Sequence, residues 1–179
     1  GLALAVTDRE RTIYSRGYGY LSADSPEMRV SPDALFRIAS VTKLTVGLLC
    51  MKFYEEGILD LDAPFTQYVP WVTQQDIPTA PRITLRRLLS HSAGLPSVFT
   101  PDGPHDEDRL EDVLRAAFPK LVPIADPDDR LYYYCNWGIR MISYILQQVG
   151  GMPFTALVKR YILEPLGMTR STFTLCEAA

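Results

Sequence analysis

Ser40-Val41-Thr42-Lys43 stands where an extended segment gives way to an amphipathic helix, and Tyr134-Cys135-Asn136 stands far along the chain. Residues three apart on a helix share a face, so the Ser40 hydroxyl and the Lys43 amine can meet. A serine hydroxyl is a weak nucleophile until an adjacent base takes its proton, and lysine can be that base once desolvation lowers its proton affinity. A phenol held near an ammonium group ionises more readily, which makes Tyr134 a second candidate to take the Ser40 proton and hand it to a leaving group. Asn136 carries both an N–H₂ donor and a carbonyl acceptor, suited to bridging the lysine and a substrate amide. Backbone N–H groups in the first turn of the helix lack intrahelical partners and would face an oxyanion forming near Ser40. Such a set can perform acyl transfer through a covalent serine intermediate.

Each residue also has a plain structural reading. Serine at a helix start is a common N-cap, and a lysine just inside a helix is commonly a solvated surface residue. Tyr132-Tyr133-Tyr134 reads equally as an aromatic, strand-like run, and Asn136 as the cap of a helix beginning near Trp137. Asn136 is, however, the only asparagine in the chain, and it falls two residues after a tyrosine.

Longer segments carry a family resemblance. Phe36 to Lys43 followed by Glu56-Gly57-Ile58-Leu59-Asp60-Leu61-Asp62-Ala63-Pro64, then Leu85-Arg86-Arg87-Leu88-Leu89-Ser90-His91-Ser92-Ala93-Gly94-Leu95-Pro96, then Glu164-Pro165-Leu166-Gly167-Met168, occur in an order that resembles the penicillin-recognising serine hydrolases. That family includes class C β-lactamases, DD-peptidases and β-lactamase-like esterases. The resemblance implies Ser40 as the acylated nucleophile, Lys43 as its partner base, Tyr134 as the tyrosine of a Tyr-x-Asn motif and Asn136 as a substrate-contacting amide. It implies a serine hydrolase or acyltransferase acting on a small ester, amide or β-lactam, with a β-lactamase-like esterase as the first expectation. The alternatives are a DD-peptidase and a catalytically silent protein that binds a ligand or partner in the same place. It also implies a third motif, Lys-Thr-Gly or a His-x-Gly variant, on a strand beyond the Pro-Leu-Gly-Met element. No such motif occurs before Ala179, and the chain opens inside a strand-like segment, so the expectation is an internal stretch of a longer enzyme.

The fold implied is α/β and β-lactamase/transpeptidase-like, present in part. Residues 1–58 are expected to form the N-terminal part of the sheet lobe with the nucleophile helix, and 59–179 a mainly helical lobe, without the C-terminal half of the sheet. Alternation predicts strands over Leu2 to Thr7 and Thr12 to Tyr20, joined by Asp8-Arg9-Glu10-Arg11, and then a loop from Ser22 to Ser31. A strand-like Leu35 to Ile38 precedes a helix from about Ser40 to Glu56, which Gly57 ends. Leu44, Leu48, Met51 and Tyr54 recur at helical spacing and predict the buried face of that helix. Prolines then punctuate short helices, with Thr100 to Asp108 as a surface loop. Helices are expected over Leu110 to Phe118, Trp137 to Val149 and Phe154 to Leu163, with Gly150-Gly151 between the last two. A serine at the junction of two lobes would let groups from both surround one carbonyl.

The composition, 47% hydrophobic and 22% charged with a net charge of −3, provides no basic stripe for nucleic acid. Apolar stretches such as Leu44 to Cys50 are broken by Lys52 and Glu55, far short of the ~20 residues a membrane span needs. Cys50, Cys135 and Cys176 are odd in number and widely spaced, so they read as reduced thiols. Cys50 falls on the apolar side of its helix, and Cys135, inside Tyr-x-Asn, is placed to line the cleft. The two histidines, His91 and His105, have no zinc-ligand spacing, so neither a metal nor another cofactor is implied. His91, at the end of a short helix, could serve as a base or bond the last helical carbonyls, and the resemblance favours a structural role.

Overall fold

Two β-hairpins open the chain. The structure, a computed structural model, describes residues 1–72, 77–97 and 110–173. Strand β1 (Leu2–Thr7) pairs antiparallel with β2 (Thr12–Tyr18), from Leu2 opposite Tyr18 to Thr7 opposite Thr12, with an irregularity at Val6/Thr7. Asp8 closes the turn, its carboxylate accepting the N–H groups of Glu10 and Arg11 at 2.8 Å each. The expected second strand, Thr12 to Tyr20, is interrupted at Gly19, whose φ of +74° lies in the left-handed region that glycine enters at low cost. A new strand, β3 (Tyr20–Ser22), follows and pairs with β4 (Ser25–Arg29). The stretch expected as a loop from Ser22 is therefore largely a hairpin. Its polar composition concealed a strand that is exposed at nearly every position. Leu35 to Ile38, expected as strand-like, joins no sheet among the described residues.

The chain divides into two compact units. One comprises Gly1–Ala39 with the described residues from Arg170, whose guanidinium donates to the Asp33 carbonyl at 2.8 Å. The other is Ser40–Thr169, and it holds the helices. The division falls at Ala39/Ser40, because the helix that follows packs into the helical core.

That helix, α1 (Lys43–Glu55), follows a tight 3₁₀ turn over Ala39–Thr42 and ends at Gly57, whose φ is +70°. Its buried residues are Val46, Leu49, Cys50 and Phe53, while Leu44, Leu48, Met51 and Tyr54 are exposed. The expected buried face is thus corrected to the other side of the helix. Both rows are apolar at helical spacing, and only contact with the rest of the unit selects one. Helix α2 (Leu85–Leu89) is capped by the Thr84 hydroxyl, which accepts from the Arg87 N–H, and buries Leu85 and Leu88. Helix α3 (Leu110–Ala117) and α4 (Asn136–Gly150) pack together. Gly151, at φ +65°, ends α4, and α5 (Phe154–Val158) runs on into one π-helical segment, Lys159–Leu163. The core is one cluster in which Phe65 and Phe118 pack on Trp137 and Phe53 stands edge-on to Tyr161. The loop expected over Thr100 to Asp108 lies outside the described residues.

Candidate active site

Ser40 lies in the 3₁₀ turn, three residues ahead of the α-helix proper. The residue before it, Ala39, has φ +44°, a left-handed conformation that costs an L-residue about 1–2 kcal/mol. Lys43 is the first residue of α1 and donates from Nζ to Ser40 Oγ at 3.0 Å. Ser40 Oγ in turn shares a 2.7 Å hydrogen bond with Tyr134 Oη. The Lys43 ammonium stands 4.8 Å from the centre of the Tyr134 ring. Tyr134 is pulled below the ordinary phenol range, first by Lys43 and then by its hydrogen bond with Ser40. Ser40 and Tyr134 are exposed, and Lys43 is half-buried. The three side chains thus form one chain of hydrogen bonds at the surface.

Asn136 is exposed and begins α4. Among the described residues no hydrogen bond joins it to Ser40, Lys43 or Tyr134. The cap of α4 is Cys135, whose Sγ accepts from the Gly138 N–H at 3.3 Å. Cys135 does not line an open cleft: it is 4% exposed and its thiol donates to the Pro96 carbonyl at 3.2 Å. Burial raises its pKa, and it pushes the Cys50 thiol up to about 11. Both are inert small hydrophobes in this setting. His91 turns its ring toward the Tyr134 segment and not to the last carbonyls of α2, a relationship that sequence reasoning missed. No local signal could have shown it, because the two segments are 44 residues apart.

The segment that carries Tyr134 is fastened at several points. Arg82 forms a two-pronged ion pair with Asp126 at 2.6 and 2.7 Å and reaches Asp128 at 2.6 Å, which Arg87 also contacts. These bonds hold both carboxyls below the ordinary carboxylate range, Asp126 chiefly through Arg82 and Asp128 chiefly through Arg87. The Ile124 N–H donates to the Gly94 carbonyl at 2.9 Å. Arg130, at φ +52°, turns the chain at the end of the 3₁₀ turn Pro127–Asp129, four residues ahead of Tyr134.

The beta-lactamase family model matches residues 1–179. The chain belongs to the beta-lactamase family. Among relatives of this beta-lactamase-family chain, protein flp of Staphylococcus aureus (strain N315) is 27% identical over 175 residues, which are 97% of this chain and 34% of that protein. The octameric penicillin-binding protein homologue from Pyrococcus abyssi superimposes with a TM-score of 0.82 at 28% identity, covering 98% of this chain and 41% of the other. The D-amino acid amidase of Ochrobactrum anthropi SV3, in complex with L-phenylalanine amide, gives 0.76 at 27% identity over 99% of this chain and 49% of its own. The chain therefore spans between a third and a half of the length of these beta-lactamase-family proteins, and its fold is the β-lactamase/transpeptidase-like one. No helix among the described residues is long and apolar enough to cross a membrane.

Proposed function

We propose that this chain carries the nucleophile of a serine hydrolase that opens small esters, amides or β-lactams through a Ser40 acyl-enzyme. The observation that carries this reading is the unbroken chain Lys43 Nζ, Ser40 Oγ, Tyr134 Oη, at 3.0 and 2.7 Å. Ser40 Oγ attacks the acyl carbon while its proton passes to Tyr134 in the phenolate form. Tyr134 then delivers that proton to the departing alcohol or amine as the bond to it breaks. Water, or an acceptor alcohol or amine, deprotonated by the same phenolate, attacks the ester on Ser40 and regenerates the hydroxyl. Lys43 is the basic partner: its positive charge favours the phenolate, and its N–H bond orients Ser40 Oγ. Asn136, exposed two residues beyond Tyr134, is the proposed contact for a substrate amide.

A β-lactamase-like esterase is the preferred assignment, and a DD-peptidase uses the same first step. The likeness to a D-amino acid amidase supports a small amide as a substrate. A fluorescent penicillin and an activated aryl ester, applied to the full-length protein, test the reading by intact-mass and peptide mapping. The expected result is a single adduct on Ser40 that Ser40→Ala abolishes. Equal labelling of wild type and Ser40→Ala would instead support a catalytically silent binder.

A further inference from the structure

We propose that His91 is a positioning residue, which aims the Tyr134 hydroxyl at Ser40 by gripping the chain on both sides of that tyrosine. The inference rests on the reading of Tyr134 as the proton acceptor.

The stretch from Leu131 to Cys135 belongs to no helix, joins no sheet among the described residues, and is exposed up to Tyr134. A tyrosine on such a stretch would sample many positions unless something outside the stretch held it. One residue, His91, does so through both its backbone and its ring. The N–H of Tyr133 donates to the His91 carbonyl at 2.8 Å, and the N–H of Cys135 donates to His91 Nδ1 at 3.2 Å. These two bonds flank Tyr134. The imidazole itself lies against the Tyr134 ring, centroids 4.8 Å apart and planes tilted by 38°, and stands edge-on to Tyr132 at 5.8 Å.

His91 can do this because it sits just past α2 with φ +56°, so that its carbonyl and its ring both serve the same neighbouring segment. Its anchor is firm: α2 buries Leu85 and Leu88, and Arg86 grips Asp62 with two bonds of 2.8 Å. With Nδ1 accepting from Cys135, the proton of the neutral ring is on Nε2. Burial, and then the charge on Lys43, lower the His91 pKa and so preserve that acceptor. The same bond occupies the nitrogen that a general base would need, which separates His91 from the proton-transfer step. A misplacement of about 1 Å in a reacting group costs on the order of 10²-fold in rate, so a clamp on Tyr134 has a kinetic consequence.

The experiment compares His91→Gly and His91→Asn in the full-length protein. Both residues accept a left-handed φ, so neither strains the turn. Glycine removes ring and acceptor, whereas the asparagine side-chain oxygen can reach the place of Nδ1 and accept from Cys135. Two quantities are read: the ionisation of Tyr134, followed by tyrosinate absorbance against a Tyr134→Phe background, and the acylation of Ser40 by an aryl ester. The expected result for His91→Gly is a Tyr134 titration moved up toward ordinary tyrosine and a kcat lower by about 10–10²-fold with KM little changed. His91→Asn should recover most of both. A residue that only stabilised the fold would lower Tm without moving the Tyr134 titration.

An unchanged titration and rate in His91→Gly, with wild type labelled at Ser40, overturns the positioning role alone. A shifted titration in a protein whose Ser40 is never acylated keeps the clamp and removes the proposed function. Loss without recovery in His91→Asn overturns the part assigned to the Nδ1 acceptor.

Discussion

Ser40 Oγ and Tyr134 Oη stand 2.7 Å apart across 94 residues of sequence. The Tyr134 hydroxyl makes the bond to Ser40, while its ring rests against His91. Tyr134→Phe therefore removes the proposed proton acceptor and leaves the ring against His91. The acylation rate of Ser40 by an aryl ester is expected to fall by ~10²–10⁴-fold, the range for a positioned proton transfer. Stopped-flow acylation of wild type and variant measures it, and a fall well below that range would assign the proton to Lys43.

The direction of the Tyr134 shift sets a pH dependence. Lys43, then the bond with Ser40, holds the phenol below its ordinary range, so the reactive anion becomes populated at lower pH than for a free tyrosine. Acylation should rise with pH as Tyr134 loses its proton. Lys43→Met removes the positive charge and one hydrogen-bond donor, so the phenol returns upward and the rising limb moves to higher pH. Profiles of kcat/KM against pH for the two proteins decide this, since a limb that stays in place belongs to another group.

What could be read in advance follows from the range of the interactions. Ser40 and Lys43 meet within one helical turn, so their spacing announced the contact. The approach of Tyr134 depends on a fold, and only the family resemblance brought it into view. His91 acts across 44 residues through two backbone N–H groups, and backbone partners leave no mark in side-chain types. Helix α1 misled for a different reason: Leu44, Leu48, Met51 and Tyr54 form as regular an apolar row as Val46, Leu49, Cys50 and Phe53. Periodicity cannot choose between two such rows. Gly19 was the overlooked sign that β2 ends early, and the polar Ser25–Arg29 strand had no alternation to betray it.

Gly94 links stability to the site. Its φ is +68°, and a Cβ there would lie 2.2 Å from the Ala125 carbonyl oxygen, on the same stretch whose Ile124 N–H bonds the Gly94 carbonyl. Gly94→Ala meets the conformational cost of about 1–2 kcal/mol and a backbone clash besides. Gly151→Ala is the control, with φ +65° and nothing within 4 Å of its Cβ. Gly94→Ala should lower the denaturant midpoint clearly more than Gly151→Ala, and at temperatures where it folds it should also slow Ser40 acylation. Equal midpoints for the two would show that Ala125 yields freely.

Phe53 provides the opposite case, a large effect on stability with none on chemistry. It is 1% exposed, stands edge-on to Tyr161 at 5.6 Å, and lies close enough to Gly150 that a Cβ there would be 3.2 Å from its ring. So closely packed a site cannot collapse readily around a missing ring. Phe53→Ala is expected to cost ~3–5 kcal/mol, read from urea unfolding with an unchanged m-value. Phe53 sits near the far end of α1 from Lys43, about 15 Å along the axis at ~1.5 Å per residue. The Lys43, Ser40 and Tyr134 geometry depends on the first turn of that helix and on His91, not on Phe53. Well below its lowered Tm, the variant should therefore acylate Ser40 at the wild-type rate, and a parallel loss of rate would mean that the core of α1 also sets the orientation of its first turn.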